Sequence, residues 1–261
     1  MINFKSQFFA ILVGFSLLIC FNGNTVSAQS SEIEKKWHFL AEPYIMFPYM
    51  SGEIGLRRLP AVNVDASPGD IFSKLQFGTM LYMEANTDKW AITSDLLYMS
   101  LSQDITPTTI IESGKADAKQ WALEFAGLYR MASHLEIGFG GRLNNVQSDL
   151  NINRKEIGGV STPLSAGISK TWVDPYIVLR VKGDIKDKWL YLFRADAGGA
   201  VLGSSFSGQI QGYLGYQFSK LFHMKAGYRL LYMDYESGSG TDYFHYYMKI
   251  YGPTVNFGFN F

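Results

Sequence analysis

From Trp37 to Phe261, apolar and polar residues alternate one for one, run after run, and that period leaves a chain little choice of fold. A β-strand turns successive side chains to opposite faces, so each run predicts a strand with one apolar and one polar face. In the first run Trp37, Phe39, Ala41, Ile45 and Phe47 stand against His38, Glu42 and Tyr44. Mid-chain, Trp121, Leu123, Phe125 and Tyr129 oppose Gln120, Glu124 and Arg130. At the end Val255, Phe257, Phe259 and Phe261 oppose Thr254, Asn256 and Asn260. Ten such runs can be counted. The pattern predicts an all-β fold, an antiparallel up-and-down transmembrane β-barrel of about ten strands, since single-chain bacterial barrels hold an even number.

The connections alternate too. Thr87-Asp88-Lys89, Ser133-His134, Lys186-Asp187-Lys188 and Ser219-Lys220 are short. Ser51 to Lys74, Gln103 to Lys119, Asp149 to Lys170 and Glu236 to Tyr246 are long, with Gly203 to Gly208 a brief exception on the long side. Short periplasmic turns and long extracellular loops are the habit of membrane barrels. Composition agrees: 15% aromatic residues, 26 glycines and only 18% charged residues suit strands and tight turns. Inside the first long connection, Ser67-Pro68-Gly69-Asp70 can start a short helical turn running through Leu75.

The alternation does not reach the N-terminus. Lys5, a 14-residue apolar run from Phe8 to Phe21, and the small residues Val26-Ser27-Ala28 form the three-part pattern of a secretory signal peptide. Cleavage is expected between Ala28 and Gln29, which makes 1–28 the signal and 29–261 the barrel domain. The apolar run is shorter than the ~18 residues a transmembrane helix needs. Cleavage would leave 233 residues without Cys20, the only cysteine, so disulfides are not the stabilising device. It would also leave 22 basic against 23 acidic residues, with no basic stripe to engage nucleic acid. A membrane crossing by the remainder requires a closed barrel, because no later segment offers an apolar helix of that length.

Alternation alone does not say which face is outside. A soluble barrel buries its apolar face, whereas a membrane barrel turns it to lipid. The polar face gathers seven acids, Glu42, Glu84, Asp95, Glu124, Glu136, Asp174 and Asp196. Against them stand six bases, Arg130, Arg142, Arg180, Arg194, Lys225 and Arg229. Such near balance suits a paired network in a lumen better than a solvated skin. Tryptophans at 37, 90, 121, 172 and 189 fall near run ends, where an interfacial girdle sits. The register nevertheless turns Trp172 inward, which requires either a bulge or a lumen position. A ten-strand lumen is close to the size that side chains fill, so this network is expected to block it.

The ending Phe257-Gly258-Phe259-Asn260-Phe261 resembles the last strand of bacterial outer-membrane barrels, where a final aromatic residue signals to the barrel insertion machinery. The resemblance implies that role for Phe261. A longer series runs through Pro43-Tyr44, Gly52, Gly55, Val62-Asn63-Val64-Asp65, Asp70-Ile71-Phe72, Glu84-Ala85 and Trp90. It continues through Asp95-Leu96-Leu97-Tyr98, Leu101-Ser102, Trp172-Val173-Asp174-Pro175, Arg180, Gly227-Tyr228-Arg229 and Gly252-Pro253. In that order the motifs resemble a widespread, poorly characterised family of Gram-negative outer-membrane β-barrel proteins. The likeness covers nearly all of the chain after the signal, and Trp-Val-Asp-Pro is its most distinctive piece. It implies a location in outer-membrane lipid and brings no activity.

No catalytic, cofactor or metal site can be read. His38, His134 and His223 fall at the short-turn ends, and His245, beside Asp242, lies on the long-loop side. Neither a Ser-His-Asp set nor a metal-spaced cluster accompanies His245. Asp234, Glu236 and Asp242 read as a solvated acidic loop. Gly138-Phe139-Gly140-Gly141 and Gly198-Gly199 lie within strands, where glycine marks bends or close packing. The expected function is an outer-membrane barrel with a largely blocked lumen that binds a small-molecule ligand or gives it limited passage. The alternative is an enzyme acting on lipid or peptide at the extracellular rim.

Overall fold

The computed structural model describes residues 37–56, 61–109, 111–155, 161–186, 188–200 and 202–261. The signal segment, with Ala28 and Gln29, lies outside the described residues. The chain order begins β1 (His38–Met46), β2 (Tyr49–Leu56), β3 (Val62–Ala66), α1 (Pro68–Lys74), β4 (Leu75–Asn86), β5 (Trp90–Asp104) and β6 (Ile111–Arg130). It continues with β7 (Leu135–Lys155), β8 (Ser161–Lys186), β9 (Trp189–Gly198), β10 (Phe206–Gln217), β11 (Phe222–Ser237) and β12 (Phe244–Asn260). These segments form a closed antiparallel barrel of ten strands, because β1 with β2, and β3 with β4, are each one strand interrupted once. Closure is made by β1 on β12, where Phe39 and Phe261 exchange backbone hydrogen bonds of 3.1 and 2.8 Å.

The turns expected to be short are short, but the long loops are mostly not loops. β6 begins at Ile111, β7 runs to Lys155 and β8 begins at Ser161, so the ladders continue far into stretches whose sequence had lost its alternation. The connection from Ser51 to Lys74 holds the β2–β3 hairpin and α1.

Near the short-turn end the barrel is apolar outside and charged inside. Phe39, Ile92, Phe139 (75% exposed) and Ile177 face out, while Glu42, Glu124, Arg142 and Arg180 are buried. Aromatic pairs bound this band. Trp90–Tyr129 and Trp189–Tyr216 lie at the short-turn edge, and Tyr49–Tyr251, Phe77–Tyr98 and Phe206–Tyr232 at the other, as interfacial girdles do. Beyond the second girdle the pattern inverts. On β12 the inward residues change from Thr254 and Asn256 to Ile250, Met248, Tyr246 and Phe244, and the outward ones from Phe257 and Val255 to Lys249 and His245. On β11 the inward series passes from Lys225 and Arg229 to Leu231 and Met233. The upper barrel therefore has an apolar core inside and a polar skin outside, built on the same ladders.

Where β1 passes into β2 and β3 into β4, the wall is not laddered between them. The β1–β4 ladder ends at Pro43/Leu81, and the β2–β3 ladder begins at Met50/Ala66. On the far side β4 meets β5 only as far as Leu75/Leu101, with a bulge at that end. Helix α1 fills the break. Its capping box joins Ser67 and Asp70, Pro68 stands at its first turn, Ile71 points into the core, and Phe72 points outward against Phe47 at 5.6 Å.

The inversion fixes where charge is tolerated outside. Leu179→Arg or Phe193→Arg, within the apolar band, should lower unfolding free energy by ~2–4 kcal/mol in lipid. Ser165→Arg, on the same outer face of β8 beyond the band, should change it by about 0.5 kcal/mol or less. Equal effects at the three positions in a lipid unfolding titration would contradict the assigned band.

Candidate functional site

Glu124 is the hub of the lumen. Its Oε1 accepts from Arg142 Nε at 2.9 Å and from Arg229 Nη2 at 3.3 Å, and its Oε2 accepts from Arg194 Nη2 at 3.1 Å. Arg142 comes from neighbouring β7, Arg194 from β9 and Arg229 from β11. In a ring of ten strands β11 stands opposite β6, so this one carboxylate ties facing walls together. Asp196 accepts from Arg142 Nη2 at 2.9 Å and from Gln209 at 3.1 Å. Arg229 Nη1 also pairs with Asp95 at 3.0 Å and donates to the Tyr44 hydroxyl at 2.7 Å, which itself donates to Asp95 at 2.8 Å. The Arg142 and Arg194 guanidiniums lie 5.2 and 5.8 Å from the Tyr176 ring centre. That ring rests where a Cβ on residue 140 would stand, which accounts for Gly140.

A second layer lies toward the short turns. Arg180 Nε donates to Glu136 at 2.6 Å, and its guanidinium also reaches Glu84 across the lumen. Lys182 pairs with Glu84 at 2.7 Å and Arg130 with Glu136 at 3.0 Å. Near the seam, Glu42 accepts from Lys225 at 2.7 Å and contacts His223 at 2.8 Å. A cavity of about 20 Å³ lies among Tyr44, Tyr82, Asp95, Arg180 and Arg229, room for about one water. Below the layers a vestibule of about 310 Å³ includes Glu84, Arg130, Lys182 and Lys225 in its lining.

Twelve of the thirteen charged residues named from sequence thus enter these two layers or the seam cluster. Asp174 does not. Its carboxylate accepts from Asn144 at 3.0 Å, Trp172 Nε1 at 3.1 Å, and the Ser204 amide and hydroxyl at 2.7 and 2.9 Å, all neutral donors. Trp172 is a lumen residue, without a bulge in the β7–β8 ladder, and stacks on Tyr235 at 4.2 Å. The Trp-Val-Asp-Pro motif is therefore a latch on the β9–β10 connection, whose Gly203 takes a φ of +85° beside it. Lys182 was missed from sequence, although period two places it on the face of Arg180.

Sequence reasoning also missed a cavity in the apolar core of the upper barrel. It measures about 210 Å³, and Met50, Ile54, Val64, Ile71, Met99 and Met248 are among the apolar residues that line it. β2, β3, α1, β5 and β12 bring those residues together. Val146 and Tyr246 line it too, together with Gln120, Gln147 and Ser148 from β6 and β7. Three thioethers give it walls that adapt to shape. His245, the one histidine at this end, contacts Asp234 at 3.3 Å on the outer face, with its back to the cavity.

No protein-family model matches the sequence, and no curated protein is similar to it in sequence. Among solved structures it is similar to the outer membrane protease OmpT from Escherichia coli, with a TM-score of 0.56 and 8% identity, covering 90% of this chain and 100% of that one. It also aligns with Ail, the attachment invasion locus protein of Yersinia pestis, with a TM-score of 0.35 and 11% identity over 86% of this chain and 98% of that one. A Pseudomonas aeruginosa FadL homologue aligns with a TM-score of 0.37 and 7% identity over 88% and 90%. The chain has the fold of a Gram-negative outer-membrane β-barrel, and at such identities the likeness concerns fold alone.

The hub makes a quantitative demand. Glu124→Gln would leave three buried guanidiniums short of their shared anion and should cost about 3–5 kcal/mol of unfolding free energy. Glu112→Gln, at the exposed end of β6, should be neutral within about 0.5 kcal/mol. Both can be read from chemical unfolding followed by tryptophan fluorescence. A small loss at Glu124 would mean that the layer is solvated.

Proposed function

We propose that the protein is an integral outer-membrane barrel that holds a small apolar molecule in the cavity of its upper core, while the ion-pair layers below deny bulk solute a path. The short turns then lie in the periplasm and the laddered extensions outside. The observation that carries this reading is the 210 Å³ apolar cavity itself. Protein cores are close-packed with few voids larger than a water molecule, so an apolar space of this size inside the barrel stands out. A dry cavity of about 150 Å³ takes benzene, so this one suits a hydrocarbon of one or two rings or the end of an alkyl chain. The exposed Phe261, joined to Phe39 at the closing seam, is the residue the insertion machinery would read. An enzyme at the rim would have to be built on His245 and Asp234, which face away from the cavity.

Fluorobenzene is a fitting probe. In lipid nanodiscs the wild type should give a separate bound ¹⁹F resonance, and Met99→Trp, which fills the cavity, should abolish it. The same protein in planar bilayers should show no porin-sized openings. Lack of a bound resonance, or survival of that resonance in Met99→Trp, would remove the cavity as the site. Stable large conductance would remove the blocked lumen.

A further inference from the structure

We infer that α1 is a movable stopper in the side wall, and that the cavity exchanges its apolar ligand directly with the outer leaflet through the break that α1 fills. This rests on the reading of the cavity as a ligand site and adds the ligand's source and route.

Lower in this wall, where neighbouring strands are laddered on both sides, parting two strands would break a row of backbone hydrogen bonds. At the break there is no such row. Between Pro43/Leu81 and Met50/Ala66, residues 44–49 lie beyond the end of one ladder and before the start of the next. β3 is the terminal strand of the sheet order, hydrogen-bonded to β2 alone. A helix bonds its backbone within itself, so α1 can move without orphaning a strand edge. At seven residues it is far too short to be stable alone, so its place depends on its cap and on its packing against the strands around it.

Two of its side chains connect the two compartments. Ile71, 3% exposed, forms part of the cavity wall. The next residue, Phe72, is 40% exposed on the outer surface and packs on Phe47. The thickness between cavity and surroundings is thus one turn of helix. Phe72 also stands among the aromatic pairs of the second girdle, Tyr49–Tyr251 and Phe77–Tyr98, which mark the level where hydrocarbon gives way to headgroups. A ligand arriving there comes from the bilayer, where apolar molecules are concentrated, and need not cross water. The chemistry selected is that of a neutral hydrocarbon or alkyl group that partitions into lipid.

The test locks the stopper. Phe47→Cys with Phe72→Cys, in a chain also carrying Cys20→Ser, places two thiols where the rings now touch, within reach of a short cleavable bifunctional linker. Exchange of fluorobenzene is read by ¹⁹F exchange spectroscopy in nanodiscs. Linking should slow exchange at least tenfold at an unchanged bound population, and cleavage of the linker should restore it. Ser67→Ala, which removes the cap of α1 and leaves the ladders intact, should speed exchange several-fold. Exchange that is indifferent to both changes overturns the side route and puts entry at the extracellular mouth, with the cavity still the site. Absence of any bound resonance in the unlinked protein overturns the cavity reading first.

Discussion

A β-ladder turns successive side chains to opposite sides whatever surrounds it, and here the same ladders pass through two solvents. Inside the membrane the outer face meets hydrocarbon, so the apolar residues must face out and the lumen receives the polar ones. Beyond the second aromatic girdle the outer face meets water, and the apolar residues return inside, as Ile250, Met248 and Tyr246 do on β12. Strands that run past that girdle, such as β11 and β12, therefore change the phase of their pattern once. Two interiors of opposite character are stacked in one barrel: a layer of charge below and an apolar core with a cavity above. Their contrast separates a sealed lumen from a compartment that can hold a hydrophobic guest.

The lower interior can exist only because its charges are paired. A lone carboxylate or guanidinium there would cost several kcal/mol, whereas Glu124, with three guanidiniums around two oxygens, leaves neither oxygen unused. Long side chains are also the economical way to cross a lumen, since Arg229 reaches Glu124 from the opposite strand. The layer acts as cross-bracing. It fixes the distance between facing walls, which a cylinder of hydrogen-bonded strands alone leaves free to flatten.

Much of this was legible in the residues, and the rest was hidden for stated reasons. The ten strands, their facing within the band, and the helix start at Ser67-Pro68-Gly69-Asp70 could be read because each leaves a local signature: period two or a capping pattern. The extensions of β6, β7 and β8 could not, since alternation reports a difference between two environments. Around Asp117, Asn151 and Ser165 that difference has faded, so the pattern fades while the ladder goes on. The charged residues were visible as a set, but their partners were not, because Glu124 and Arg229 are brought together only by closure of the ring. Asp174 looked like one more member and proved to be a latch, because a carboxylate satisfied by neutral donors has the same letter as one satisfied by arginine. The cavity was invisible because no local pattern puts Met50, Met99 and Met248 on one side until the inversion gives them a shared inside.

The closing seam has a consequence for how the molecule comes into being. Every other junction in the ring joins strands that follow one another in the chain, whereas the pairing of Leu40 with Asn260 spans almost the whole barrel sequence. Bringing such distant segments together costs about 3 kcal/mol more chain entropy than closing a ten-residue hairpin. The cost falls on the ladder already thinned at Pro43. Until it is met, β1 and β12 are both open edges, ready to pair with any other strand, and the outward apolar band is exposed with them. The transition state for assembly should therefore contain most of the hairpins and lack the seam. The time spent in that open form, more than the stability of the finished barrel, then decides between insertion and aggregation.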